Sequence, residues 1–223
     1  MIEVISREIR WFLPGDKVQP IAAWFRGLPG SPQLGDSNSF PRQDYYLKMP
    51  GAENLGIKIR EPKKDKDSGK IKSLLEVKRL IPEKERMQFQ NDNHGYSGKW
   101  QKLSFGLTET GDDLILINPD ISSSDNNWIR VDKDRILVKY DAKNKLIVDG
   151  SIEVGEGCGI ELVKIKLNNS VHYSFGLESF GKPGKNLDKN FYDCCDMVFD
   201  QVGVSGLATD YSFSYPEFLV KMI

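Results

Sequence analysis

The stretch from Asn54 to Leu80, NLGIKIREPKKDKDSGKIKSLLEVKRL, alternates apolar and charged side chains on either side of a polar connection. A strand has a side-chain period of two, so Ile57 and Ile59 share one face while Lys58 and Arg60 share the other. In the same way Leu75 and Val77 oppose Glu76 and Lys78. Two strands so patterned must bury their apolar face against another layer, and their charged face must meet either solvent or an enclosed polar space. The connection is too long and too polar for a tight turn and is expected to be a mobile loop on a hairpin, charged enough to close over an anion.

The pattern recurs along the chain. The opening residues 2–13 place Ser6, Glu8 and Arg10 on one face and Ile5, Ile9, Trp11 and Leu13 on the other. Residues 14–41 are punctuated by Pro and Gly and read as loop with one short helix, QPIAAWFRG. Strands are expected at RQDYYLKMPG, GIKIRE, SLLEVKRL, WQKLSFGLTE, DLILINP, WIRVDKDRILVKYD, KLIVDGSIEV, GIELVKIKL and VHYSFGLESFG. Residues 82–99 carry no clear period. Helical spacing appears only late, in NLDKNFYDCCDMVFDQVG and YPEFLVKMI. The fold class is therefore α+β, mainly β, and 223 residues suit a single domain over 1–223.

Charge bounds the function. With 31 Lys and Arg against 32 Asp and Glu the net charge is -1, so no global field steers the molecule to a nucleic acid polymer or a membrane, and any anion recognition is local. No apolar run reaches the length of a membrane span. Three cysteines without metal spacing, two of them adjacent at Cys194 and Cys195, suit core packing in a reducing, cytoplasmic location. The glycines of GEGCGIE lead into a strand pattern rather than a helix, and His94 and His172 have no partner at zinc-ligand spacing.

Two architectures remain open: an open antiparallel sheet with a solvated charged face, or a closed barrel whose charged face lines a tunnel. The positions that would line a tunnel are Glu8, Arg10, Lys58, Arg60, Glu76, Lys78, Arg130, Arg135, Lys139 and Glu178. They are rich in Arg and Lys with isolated carboxylates. Cations of this kind neutralise phosphate oxygens, Arg in paired contacts. Carboxylates among them suit Mg²⁺ or Mn²⁺ arriving with a phosphate-rich small-molecule ligand.

The succession SREIRWF, QDYYLKMP, GIKIRE, LLEVKRL, RILVKYD, GLESFG and FSYPEFL resembles the CYTH superfamily of triphosphate tunnel metalloenzymes nearly end to end. The resemblance implies an antiparallel closed or nearly closed eight-stranded tunnel barrel with outer and C-terminal helices. It further implies a divalent-metal-dependent hydrolase of triphosphate compounds, with Arg10, Lys58, Arg60, Lys78 and either Arg130 or Arg135 and Lys139 on the phosphates. Glu8, Glu178 and Glu76 are the metal candidates, with Glu161 as an alternative late carboxylate. The chain departs from the pattern at Ser6, which stands where the first Glu of the opening motif would fall, and at Gly176, which leaves the late Glu-x-Glu incomplete. The phosphate-binding half of the pattern is thus fuller than the metal-binding half. A non-catalytic binder of phosphorylated ligands or polyphosphate is the alternative reading.

Overall fold

A computed structural model describes residues 2–30, 33–35, 39–64, 71–81, 83–108, 127–181, 186–201 and 204–222. The strands are β1 (Ile2–Phe12), β2 (Arg42–Leu47), β3 (Leu55–Lys64), β4 (Ile71–Leu80), β5 (Glu85–Phe89), β6 (Asn93–Thr108), β7 (Trp128–Asp141), β8 (Leu146–Asp149), β9 (Gly157–Leu167) and β10 (Ser170–Phe180). The helices are α1 (Gly15–Arg26), α2 (Leu187–Gln201) and α3 (Tyr215–Met222), with a short 3₁₀ turn at Thr209–Tyr211. The expected strand DLILINP and the centre of the Lys-rich loop lie outside the described residues.

Strand pairing closes the sheet. The order β1-β10-β9-β7-β2-β3-β4-β6 returns to β1 through a second pairing of Ile2–Ile9 against Ser97–Ser104, and every neighbour is antiparallel. Closure removes every edge from the ring and leaves one face of each strand looking inward. β5 and β8 attach outside the ring, to β6 and β7. This closed eight-stranded barrel is the tunnel architecture expected from the sequence, and it excludes the open sheet.

Two expectations about local structure change. Residues 82–99, which show no period, hold β5 and the start of β6, joined through Asn91 and Asp92 at φ +56° each. Two successive left-handed residues match the right-handed twist of a hairpin, and Asn and Asp tolerate that conformation best. The helix expected over QPIAAWFRG starts earlier, at Gly15, with Pro20 in its second turn; Val18, Ile21 and Phe25 form its buried face.

The apolar face of the barrel's β1-β10-β9-β7 side is outside and is covered by α1 and α2. There Ile9, Trp11, Ile136, Val138, Ile160, Leu162, Phe175 and Leu177 meet Ile21 and Phe25 from α1 and Phe191, Cys194, Val198 and Phe199 from α2, all at most 1 % exposed. Each such side chain contributes about 1.5–3 kcal/mol of hydrophobic stabilisation. The three cysteines are free and buried in this layer, and burial pushes the Cys194 and Cys195 thiols well up, as packing residues require. Arg7 ties α2 to the barrel: its guanidinium bonds Asp188 at 3.1 Å and Glu85, and lies 4.8 Å from the Tyr192 ring centroid.

The inward face changes character along the strands. Phe12, Tyr46, Ile129, Val131, Val163, Ile165 and Leu167 all point inward, and with Phe218 and Leu219 of α3 they form a second apolar cluster. Phe12 stacks on Phe218 at 3.9 Å and 8°. The sequence Ser214-Tyr215-Pro216-Glu217 starts α3 as a reciprocal cap, with Ser214 N donating to Glu217 Oε2 at 2.6 Å and Glu217 N to Ser214 Oγ at 3.4 Å. This cap places Tyr215 against the charged part of the lumen.

Candidate functional site

A cavity of about 330 Å³ occupies the lumen, at the lower end of the range for small-molecule sites. Every candidate named from the sequence lines it except Arg130. Arg130 is a correction: it differs in parity from Arg135 and Lys139, so one unbroken strand cannot turn all three inward. β7 turns Lys133, Arg135 and Lys139 into the lumen, whereas Arg130 pairs with Asp132 outside at 3.1 Å. Ser6 lines the cavity, and its hydroxyl oxygen has no hydrogen-bond partner among the described residues.

The sequence reading did not single out Arg42, Asp44, Tyr46, Lys102, Lys133 or Tyr215. Asp44 is fully buried and receives three cations, Arg42 at 3.1 Å, Lys58 at 3.3 Å and Lys133 at 3.1 Å. Lys133 also donates to the Tyr46 hydroxyl at 2.7 Å and lies 4.0 Å from the Tyr215 ring centroid. The parity that carries Arg135 and Lys139 inward carries Lys133 as well, so that residue was within reach of the pattern. The role of Asp44 depends on β2 lying between β7 and β3, which no local signal discloses.

Arg10 is similarly committed. Its Nε donates to Glu8 Oε1 at 2.9 Å, Nη1 to Ser174 Oγ at 3.0 Å and Nη2 to Glu161 Oε1 at 2.5 Å, with the side chain 3 % exposed. The guanidinium lies over Gly176, where an added Cβ would stand 2.8 Å from Arg10 Cζ. Glu8 also takes the ammonium of Lys78. Glu76 binds Lys58 at 3.0 Å and Arg60 at 3.1 Å, and Glu161 adds Arg135 at 3.4 Å. Burial alone would raise these carboxyls, but the cations outweigh it. Lys78 and Arg10 hold Glu8 at about 2. Lys58, Lys102 and Arg60 hold Glu76 at about 2. Asp44 and Glu161 are held lower still by their own cations. Burial pulls Lys133 well below the ordinary lysine range, against the opposing pull of Asp44.

The lumen therefore has two electrostatic layers. Arg10, Arg42, Lys58 and Lys133 face Glu8, Asp44, Glu76 and Glu161, four cations against four carboxylates, with side chains at most 17 % exposed. The remaining lining residues are Arg60, Lys78, Lys102, Arg135 and Lys139 against Glu178, five cations to one carboxylate. Lys102 has no ion pair or hydrogen bond to any described residue. Lys139 donates to the Ile152 carbonyl at 2.7 Å. The Nε–H groups of Arg42 and Arg135 are buried without an acceptor among the described residues.

A Mg²⁺ or Mn²⁺ ion fits this donor set poorly. Among the described residues no three His, Cys, Asp or Glu converge as a metal cluster. Glu8 and Glu76 have each of their oxygens on a protein cation. Glu178, 40 % exposed and 3.7 Å from Lys78, is the least engaged luminal carboxylate among the described residues.

No protein-family model matches the chain, and no curated protein matches it. Solved structures of similar fold include the following two. One is a candidate adenylate cyclase of Bacillus halodurans, at 10 % identity and TM-score 0.46, with 92 % of this chain and 96 % of that chain covered. The other is the PH1819 protein of Pyrococcus horikoshii, at 14 % identity and TM-score 0.47, with 100 % of both covered. At these scores the likeness carries no argument about activity. The barrel rests on its own strand pairings, and no helix among the described residues is long and apolar enough to cross a membrane.

Proposed function

We propose that the lumen captures a compact, phosphate-rich anion. The observation that carries this reading is the charge of the lumen as a whole, nine cations against five carboxylates. A net excess of four positive charges around one cavity leaves the cations repelling one another, and an oxyanion relieves that repulsion. The apolar cluster behind Tyr46 and Tyr215 bounds the cavity on one side, which suits a short anion over a threaded polymer.

The test is calorimetry with tripolyphosphate, pyrophosphate and sulfate on the full chain and on Lys102→Ala and Arg60→Ala. Tripolyphosphate should bind tightest, and each substitution should weaken it by roughly tenfold, the loss of one charge-assisted contact. Equal, weak binding of all three anions by all three proteins sinks the reading.

A second reading is metal-dependent hydrolysis of a triphosphate compound. It is favoured by one observation: β1 and β10 set Glu8 directly opposite Glu178. Release of inorganic phosphate from tripolyphosphate or nucleoside triphosphates with Mg²⁺ or Mn²⁺, lost in Glu178→Gln, is the result that would promote hydrolysis over capture.

A further inference from the structure

We infer that the ammonium of Lys78 occupies the place of a divalent cation between Glu8 and Glu178, so that the lumen takes its anion without Mg²⁺ or Mn²⁺. The anion half of this statement rests on the capture reading above; the cation half stands on the geometry alone. Glu8 and Glu178 are cross-strand partners, so their carboxylates leave the barrel wall side by side. Lys78 reaches them from β4. Its Nζ contacts Glu8 Oε2, lies 3.7 Å from Glu178 Oε1, and sits 5.2 Å from the Trp100 ring centroid.

A dication entering this spot would have to displace Lys78 or stand beside it, with Arg10 already on the other oxygen of Glu8 at 2.9 Å. Further carboxylates that would overcome that repulsion are missing at both neighbouring positions. Ser6 supplies a neutral hydroxyl, and a side chain at 176 would collide with the Arg10 guanidinium. The Arg10 side chain and the glycine opposite it therefore form one arrangement in which protein cations replace metal. Taking away the Lys78 charge should reverse it. Glu8 Oε2 and Glu178 would then face a vacated pocket, and two carboxylates with waters are the protein share that Mg²⁺ and Mn²⁺ usually accept.

The experiment measures Mn²⁺ binding by electron paramagnetic resonance and calorimetry, without any anion, on the wild type, Lys78→Ala, Lys78→Gln and Lys78→Ala/Glu8→Gln. Lys78→Gln keeps most of the side-chain volume in case Lys78→Ala does not fold. Either single variant should bind Mn²⁺ on the order of tenfold or more tighter than wild type, and Glu8→Gln should cancel the gain. In parallel, wild-type affinity for tripolyphosphate is compared in EDTA and in Mg²⁺, with equal or tighter binding expected in EDTA. Wild-type Mn²⁺ binding as tight as that of the variants, or tripolyphosphate binding only with Mg²⁺, overturns the assignment. Tripolyphosphate that binds under neither condition refutes anion capture, and the Mn²⁺ comparison then decides the Lys78 assignment by itself.

Discussion

Asp44→Asn is the substitution that most directly tests the inner, neutral layer. The wild-type carboxylate is 0 % exposed and faces Arg42, Lys58 and Lys133 at 3.1, 3.3 and 3.1 Å. An amide of the same shape removes the negative charge and leaves three buried cations with one fewer counter-ion. Taking one partner from a buried ion cluster costs roughly 3–5 kcal/mol. For a domain of this size each kcal/mol moves the melting temperature by about 2–4 °C, so the expected drop is roughly 6–20 °C. The deficit has a pH signature. Burial already lowers the Lys133 pKa, and Asp44 is the group that most opposes it; without Asp44 the lysine falls further. A lysine whose folded pKa lies below its unfolded value leaves the unfolded state holding more protons, so stability rises with pH between the two values. Urea unfolding at about pH 6 and about pH 9 should show a smaller deficit at the higher pH. A loss under about 1 kcal/mol, or a deficit independent of pH, refutes the claim that Asp44 holds the inner layer together.

Three further outcomes follow from the same geometry. Glu8 and Glu76 are held at about 2 in the folded state. Their stabilisation is therefore complete above the unfolded value near 4.5 and is lost as pH falls toward 2, about 3 kcal/mol for Glu8, which an acid-unfolding titration will locate below about pH 4.5 rather than near neutrality. Gly176→Ala pushes a methyl to 2.8 Å from Arg10 Cζ and should cost about 1–3 kcal/mol in thermal unfolding, whereas an unchanged melting temperature would mean that Arg10 does not lie where described. Arg130→Ala should leave stability within about 0.5 kcal/mol of wild type and leave tripolyphosphate affinity unchanged, because Arg130 lies outside the barrel.

Alternation alone was enough to tell which side chains travel together. Lys58 with Arg60, Glu76 with Lys78 and Glu8 with Arg10 share faces by a rule that needs no tertiary structure. The same rule could have rejected Arg130 in favour of Lys133 once Arg135 was turned inward. Other features were out of its reach. Residues 82–99 hide a hairpin because its turn is two left-handed residues, Asn91 and Asp92, without the glycine that usually marks one. α1 is obscured by Pro14-Gly15 and Pro20, although proline is tolerated near a helix start.

The larger gap concerns pairing. A sequence discloses the face a carboxylate occupies, but whether it is free to hold metal depends on which cation reaches it across the barrel, and that is set by register and closure. Glu76 and Glu8 are metal candidates by the resemblance, yet β3 brings Lys58 and Arg60 to the first, and β4 brings Lys78 to the second. Each added cation lowers the affinity of the cluster for a dication and raises its affinity for an anion. On the capture reading proposed above, the departures at Ser6 and Gly176 that would thin a metal cage strengthen the anion site. Ser6 and Gly176 then act in one direction: two carboxylates fewer in the lumen leave Arg10 room over Gly176 and leave the outer layer its positive excess.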